Sequence, residues 1–223
     1  MRTSALLVAA LAIVGSASPL YAAGPSPPES FHYRWRLTRF LGVVAGIFLP
    51  RSGDGVLSLN AADGTKLKSE LRITSESSEG SFFLYSSEID PTSGRALQAS
   101  SSYFWRGERS FKQGKIDGEG VVDVASGIFL LRRDPPDKPR LMEIWSDGKL
   151  YPVVVIPLPE ERRRVAGRQV DTRHLSIRGI EQPGRPYWKA QLDLWLAKDE
   201  VATPVEIRLD RRGAAVHLEM SSW

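Results

Sequence analysis

From Gln191 to Gly213 the chain reads QLDLWLAKDEVATPVEIRLDRRG. Leu192, Leu194 and Leu196 alternate with Asp193, Trp195 and Ala197; a turn intervenes, and Val205, Ile207 and Leu209 alternate again. Successive side chains of a strand point to opposite faces, so a period of two marks a strand with one face buried. The pattern recurs at FHYRWRLT, where Phe31, Tyr33, Trp35 and Leu37 share one side and His32, Arg34, Arg36 and Thr38 the other. Phe40 then lands on the polar side, which predicts a bulge near Arg39. The inward leucines cover either a closed core or a cavity, and that choice decides what the chain can do.

Further runs have the same character. VLSLNA and LKSELRIT flank Asp63-Gly64, a strong hairpin signal, and Leu141 to Trp145 and Leu150 to Ile156 flank Ser146-Asp147-Gly148-Lys149. Ser81 to Ile89, Leu97 to Trp105, Ser110 to Ile116, Val170 to Arg178, Tyr187 to Leu196 and Ala214 to Met220 also read as strands. YPVVVIPL is apolar on both faces and so needs cover on both, while Pro152 and Pro157 require an edge or a bulge. One window changes period: Val121, Val124, Ala125, Ile128 and Leu131 are spaced by three and four and end at Pro135-Pro136, which predicts a short helix, with a strand as the alternative. About ten short strands with at most one or two short helices exclude an architecture built from strand–helix–strand units. The fold expected is mainly β: a single strongly curved antiparallel sheet, an open or closed barrel, with the helix plugging or flanking it.

The N-terminus adds a compartment. Arg2 precedes the apolar run Ala5 to Val14, helix breakers follow at Gly15, Ser16 and Pro19, and small residues stand at Ala22 and Ala23. This is the layout of a secretory signal peptide over residues 1–23, followed by a linker, GPSPPES, over 24–30, and one β-rich domain over 31–223. The apolar run is too short to anchor the chain, since a spanning helix needs about 20 residues, so no transmembrane segment is expected after cleavage. The chain has no cysteine, hence no disulfide and no lipidation site. Such a chain relies on its core, and the expected location is exported, in a bacterial periplasm. The net charge of +4 is spread along the sequence, which argues against nucleic acid.

Catalytic chemistry is sparse. There is no G-x-S-x-G elbow and no cysteine nucleophile, and Gly114, Gly118 and Gly120 sit in a turn rather than a phosphate loop. His32, His174 and His217 lie in different strands without metal-ligand spacing. His217 faces the polar side beside Glu219, across from Glu206 and near Asp193; cross-strand pairing with Arg208 on a solvated sheet face is the plainer reading than an acid–base or metal site. No carboxylate pair is placed for glycoside hydrolysis. EERRRVAGR, Glu160 to Arg168, is the densest basic stretch, a place for anionic head groups or a solvated hairpin turn neutralised by Glu160 and Glu161. Of six tryptophans, Trp35 and Trp188 fall on apolar faces, whereas Trp195 stands on the polar side of its strand.

The C-terminal half resembles an exported bacterial family known only as domain of unknown function family 3108. The resemblance rests on Leu194-Trp195-Leu196, Asp199-Glu200, Pro204-Val205 and Gly167, and more loosely on Tyr33 and SSYFWRG. It implies an envelope location and a curved β architecture like that of lipoprotein carriers with an incomplete barrel, and it transfers no catalytic residue or cofactor. From the inward rows, the expected function is non-enzymatic: an envelope protein that holds a lipid, acyl chain or similar ligand, with Leu192, Leu194, Val205, Ile207 and Leu218 lining the interior and Trp195 a further ligand contact. No catalytic residue, metal or cofactor is expected, and peripheral membrane contact is. The alternatives are a scaffold of envelope assembly with a filled core and, last, a glycan-active enzyme using Asp193 and Glu206.

Overall fold

A computed structural model describes residues 28–40, 51–62, 65–76, 82–105, 108–118, 120–211 and 214–223. The positions expected to form the signal peptide and most of those expected to form the linker, with the predicted Asp63-Gly64 turn, lie outside them. The N-terminal half contributes β1 (Glu29–Phe40), β2 (Ser52–Ala61), β3 (Leu67–Ser75), β4 (Phe82–Ile89), β5 (Ala96–Trp105) and β6 (Glu108–Lys115). Next come a two-residue β7 (Val121–Val122), helix α1 (Val124–Arg133) and β8 (Arg140–Ser146). The chain ends with β9 (Lys149–Val165), β10 (Arg168–Gly179), β11 (Ala190–Ala197), β12 (Pro204–Arg211) and β13 (Ala214–Met220). All thirteen strands form one sheet in the order β6-β5-β4-β3-β2-β1-β13-β12-β11-β10-β9-β8-β7. The first and last long strands thus pair at its centre, and the rest unroll to either side.

The expected single curved sheet is present, with one addition. Val121 and Val122 pair parallel to Glu143 and Ile144, so β7, α1 and β8 make a small strand–helix–strand unit in an otherwise antiparallel sheet. The predicted helix begins three residues later than its first periodic valine, because Asp123 caps it: its Oδ1 accepts from Ser126 N at 2.7 Å, and Asp123 N donates to Ser126 Oγ at 2.9 Å. Register shifts between Leu37 and Arg39, where the bulge was expected.

The basic stretch is not a long turn. β9 continues through it to Val165 and reverses over Ala166 and Gly167, whose φ of 46° and 81° suit a two-residue hairpin. Asp147 (φ 51°) and Gly148 (φ 79°) do the same for β8–β9. Pro157 is tolerated because β8 starts at Arg140, opposite Val155, and leaves that side of β9 unpaired beyond it. Pro152 uses its carbonyl, accepting from Ile180 N at 3.1 Å.

Helix α1 lies against β3, β4, β7 and β8. Ile128, Phe129 and Leu131 are buried, and each such side chain contributes about 1.5–3 kcal/mol by leaving water. Its C-terminal end is fixed by Arg132, which donates through Nε and Nη2 to Val201 O (3.0 and 2.7 Å), pairs with Glu29, and stands 4.8 Å over the Phe31 ring. At the N-terminal end Ser69, Ser87 and Asp123 form a buried chain, with Ser69 Oγ 2.8 Å from Ser87 Oγ and Ser87 donating to Asp123 Oδ1 at 2.9 Å. Burial pushes the Asp123 carboxyl above its ordinary pKa, against the pull of the Ser126 and Ser87 hydrogen bonds. Among the described residues no helix is long and apolar enough to cross a membrane.

Across the gap between the two ends of the sheet, β5 and β6 meet β8 through side chains. Ala96, Ala99, Ile116, Val121 and Trp145 make a small separate core, Trp145 lies against Gly114, and Ser101 Oγ donates to Asp147 Oδ1 at 3.0 Å. No backbone ladder joins these strands among the described residues.

Replacing Asp123 by Ala removes the cap and the Ser87 contact together. The expected loss, read from urea unfolding, is about 1–2 kcal/mol, with a smaller loss for Asp123→Asn because the amide oxygen keeps the cap.

Candidate functional site

The two faces of β9–β13 differ in kind. On the inner face, in cross-strand register, Leu194 opposes Leu175 and Ile207, and Ile207 opposes Leu218. Leu194, Val205, Ile207 and Leu218 are essentially without exposure. Around α1 this interior is filled: the residual space between the helix and β8, β9 and β11 is about 20 Å³, room for about one water.

Toward the end of the sheet where β4 begins and β12 ends, the interior is not filled. A cavity of about 190 Å³ remains there. Its walls include Leu71, Ile73, Leu192, Ile207, Leu209 and Val216, and Val124, the first residue of α1, contributes from the helix. Two tryptophans shape it. Trp35 is pinned by its indole, donating to Thr74 O at 2.6 Å, and Trp188 is carried by the loop between β10 and β11. Gly179 lets that loop approach: a Cβ there would stand 2.3 Å from Trp188 O. Phe83 and Tyr85 complete the wall, and Phe83 (39% exposed) continues across the pair to Tyr103 (38% exposed), 6.3 Å between ring centroids. An apolar lining therefore runs out to solvent along β4 and β5.

Of the residues singled out from sequence, Leu192 and Ile207 line this cavity. Leu194, Val205 and Leu218 lie in the same apolar core but in its packed part. Sequence reasoning passed over Trp188, Phe83, Tyr85, Leu209 and Val216 as ligand contacts. Their alternation was legible, but which inward residues border a void depends on where helix α1 begins.

Trp195 is on the outer face and closed off, 5% exposed. Its ring stacks on His174, with centroids 4.2 Å apart and 18° between planes, and the Arg163 guanidinium lies 4.7 Å over it. Arg163 reaches from β9 across β10 and β11 to Glu206 on β12, pairing through two of its guanidinium nitrogens, Nη2 with Oε1 and Nε at 2.8 Å from Oε2. Glu206 also pairs with His217, whose Nδ1 is 4.0 Å from Glu219, and Glu219 pairs with Arg36 on β1 at 2.9 Å. A side branch holds His174 between Glu161 Oε1 (2.9 Å from Nδ1) and Asp193 Oδ1 (3.4 Å from Nε2). The pairing of His217 with Glu206 agrees with the polar-face reading; Asp193 instead serves His174. This is an ionic strap across β9–β13 and β1.

Burial pushes Glu206 and Asp193 upward, but their partners prevail. The His217 and Arg163 contacts hold Glu206 below the ordinary glutamate pKa, and contacts from His174, Ser176 and Gln191 hold Asp193 below the ordinary aspartate pKa. Among the described residues no group of three or more His, Asp or Glu is placed to hold a metal ion.

A larger recess, about 750 Å³, lies between the β9–β10 arm and the β11–β12 turn. It is open and its charges are paired: Arg162 with Asp171 and Lys198 with Glu160, both at 2.8 Å. The basic stretch is thus largely neutralised by its neighbours.

The strap sets a pH dependence. Because the folded pKa values of Glu206 and Asp193 lie below their unfolded ones, their stabilisation is complete above the ordinary carboxylate range, about pH 4, and is lost as pH falls through and below it. Glu206→Gln should lower stability at pH 7 by about 2 kcal/mol, between the 3–5 of a fully buried pair and the 0–1 of a surface pair, since Arg163 keeps 30% of its side chain exposed. Thermal melts from pH 3 to 7 should show a flatter acid limb for this variant than for the wild type.

No protein-family model matches the chain, and no curated protein matches it. Among solved structures it is similar to a β-barrel-like protein of domain of unknown function DUF1849 from Brucella abortus, with a TM-score of 0.55 and 10% identity over 86% of this chain and 95% of that one. A looser likeness, with a TM-score of 0.27 and 14% identity over 87% and 85% of the chains, is to the Mycobacterium tuberculosis lipoprotein LppX. The first establishes the fold as β-barrel-like, an incomplete barrel wound around one helix.

Proposed function

We propose that this chain is a non-enzymatic protein of the bacterial envelope that takes the apolar part of a lipid-like ligand into its cavity. The observation that carries the reading is the unfilled, aromatic-rimmed space of about 190 Å³ beside a tightly packed plug. Interiors of natural proteins are close-packed, so an apolar void of this size with an exposed aromatic margin is a feature with a use. At roughly 30 Å³ per non-hydrogen atom the space takes about six carbons, a segment of an acyl chain rather than a whole lipid. Export is supported by the signal-peptide layout of residues 1–23, and periplasmic residence by the absence of cysteine and of a lipidation site. Kinship with family 3108 is proposed on the residues of the last hairpin.

A scaffold of envelope assembly is the second reading. Its support is Phe111, 62% exposed on β6 at the sheet edge. The lysines Lys112 and Lys115 on that strand oppose edge pairing, which ranks this reading lower.

Val216 stands half-buried in the cavity wall, so Val216→Phe fills space without opening the packed core. Decanoate binding by calorimetry should weaken at least tenfold with the unfolding curve little changed. Undiminished binding, together with a ligand-free native mass spectrum of the protein purified from its own host, would overturn the carrier reading.

A further inference from the structure

A second recess of about 250 Å³ lies beside the apolar cavity, and the two share Ser146, Trp188 and Ala190 in their linings. The second recess differs in chemistry: Lys149, Lys189, Tyr151 and Tyr187 contribute to its lining. Both lysines are exposed, and neither forms an ion pair among the described residues. The carboxylates of the neighbouring segment are engaged elsewhere, Glu143 with Arg185 and Asp147 as acceptor from Ser101. Two ammonium groups without an ion pair among the described residues therefore stand beside the apolar slot. Together the two spaces reach the scale of small-molecule sites, roughly 300–1,000 Å³.

This arrangement restricts what the slot can take. A charged head cannot follow its chain into an apolar cavity, because burying an unpaired charge is too costly. It must stay outside, and in the adjoining recess the charged groups are cationic, each Lys a compact point charge suited to carboxylate or phosphate oxygens. We propose that the recess holding Lys149 and Lys189 is the head-group site for an anionic amphiphile, a single chain ending in a carboxylate or phosphate. Lys149 is set there by the Asp147-Gly148 turn, and Lys189 by the close approach of the Trp188 loop to Gly179. The inference rests on the carrier reading, and it adds the sign of the ligand's charge and the two residues that select it.

Decanoate, decyl phosphate and 1-decanol share one chain length and separate the two ideas. At pH 8 and low salt, calorimetry on the wild type should show both anions binding about tenfold or more tighter than the alcohol, with the margin shrinking as sodium chloride is raised. Lys149→Gln with Lys189→Gln should bring the anions to the alcohol's affinity and leave the alcohol's unchanged. Lys149→Arg with Lys189→Arg should keep most of the preference. The decanoate-to-decyl-phosphate ratio tells which anion the recess favours. Equal binding of alcohol and anions by the wild type overturns the head-group site and leaves the carrier reading standing. A preference that survives both Gln substitutions also overturns it, and binding of none of the three overturns both. Each single Gln variant carries the same test if the double variant's unfolding curve is altered.

Discussion

One helix of ten residues must cover the inside of a sheet of thirteen strands. The rest of the molecule follows from this shortage. A sheet this wide with an apolar inner face has to roll up, and once rolled it encloses more volume than α1 can occupy. Near the helix the inward leucines and valines meet each other and its Ile128 and Phe129, and the core closes. Beyond Val124 no such partner is found among the described residues, and the walls stand apart.

What keeps the walls from collapsing lies outside the barrel. The outer face of the C-terminal strands carries charged residues that would be solvated on an ordinary sheet, yet Glu206 and Asp193 are 3% and 7% exposed. Arg163 spans three strands to reach Glu206, over an indole that is itself stacked on an imidazole. Such pairs add little net stability over an apolar alternative, but they are geometrically demanding. The strap fixes how β9, β12, β13 and β1 sit relative to one another, so apolar pressure inside and ionic ties outside act on the same curvature. Near the β11–β12 turn, Arg132 ties the helix to Glu29 and to the carbonyls of residues 201 and 202.

Much of this was legible in the sequence, and for one reason: a period of two reports the faces of each strand independently of its partners. It placed Tyr33 and Trp35 inward, Trp195 outward, and the bulge at Arg39. Features that depend on strand order were not legible. Arg163 and Glu206 are 43 residues apart, and only the β9–β12 arrangement makes them neighbours. Two residues are too few to show a period, so β7 was absorbed into the helix window. Asp123 was hidden as a cap because Ser126, rather than Glu or Gln, closes its box. The EERRR run looked like a turn from its charge, although the reversal is made by Ala166 and Gly167. The leucine rows leave open whether a cavity exists; its position depends on where α1 begins, at Val124, which the pattern does not mark.

The contact of Trp145 with Gly114 has a bearing on all of this. A Cβ at Gly114 would lie 3.0 Å from the indole nitrogen, so hydrogen is the largest substituent the junction takes without giving way. Elsewhere in the sheet neighbouring strands are joined by ladders of backbone hydrogen bonds. Here an aromatic plate stands against bare backbone, so any larger residue at position 114 must displace Trp145 or widen the seam.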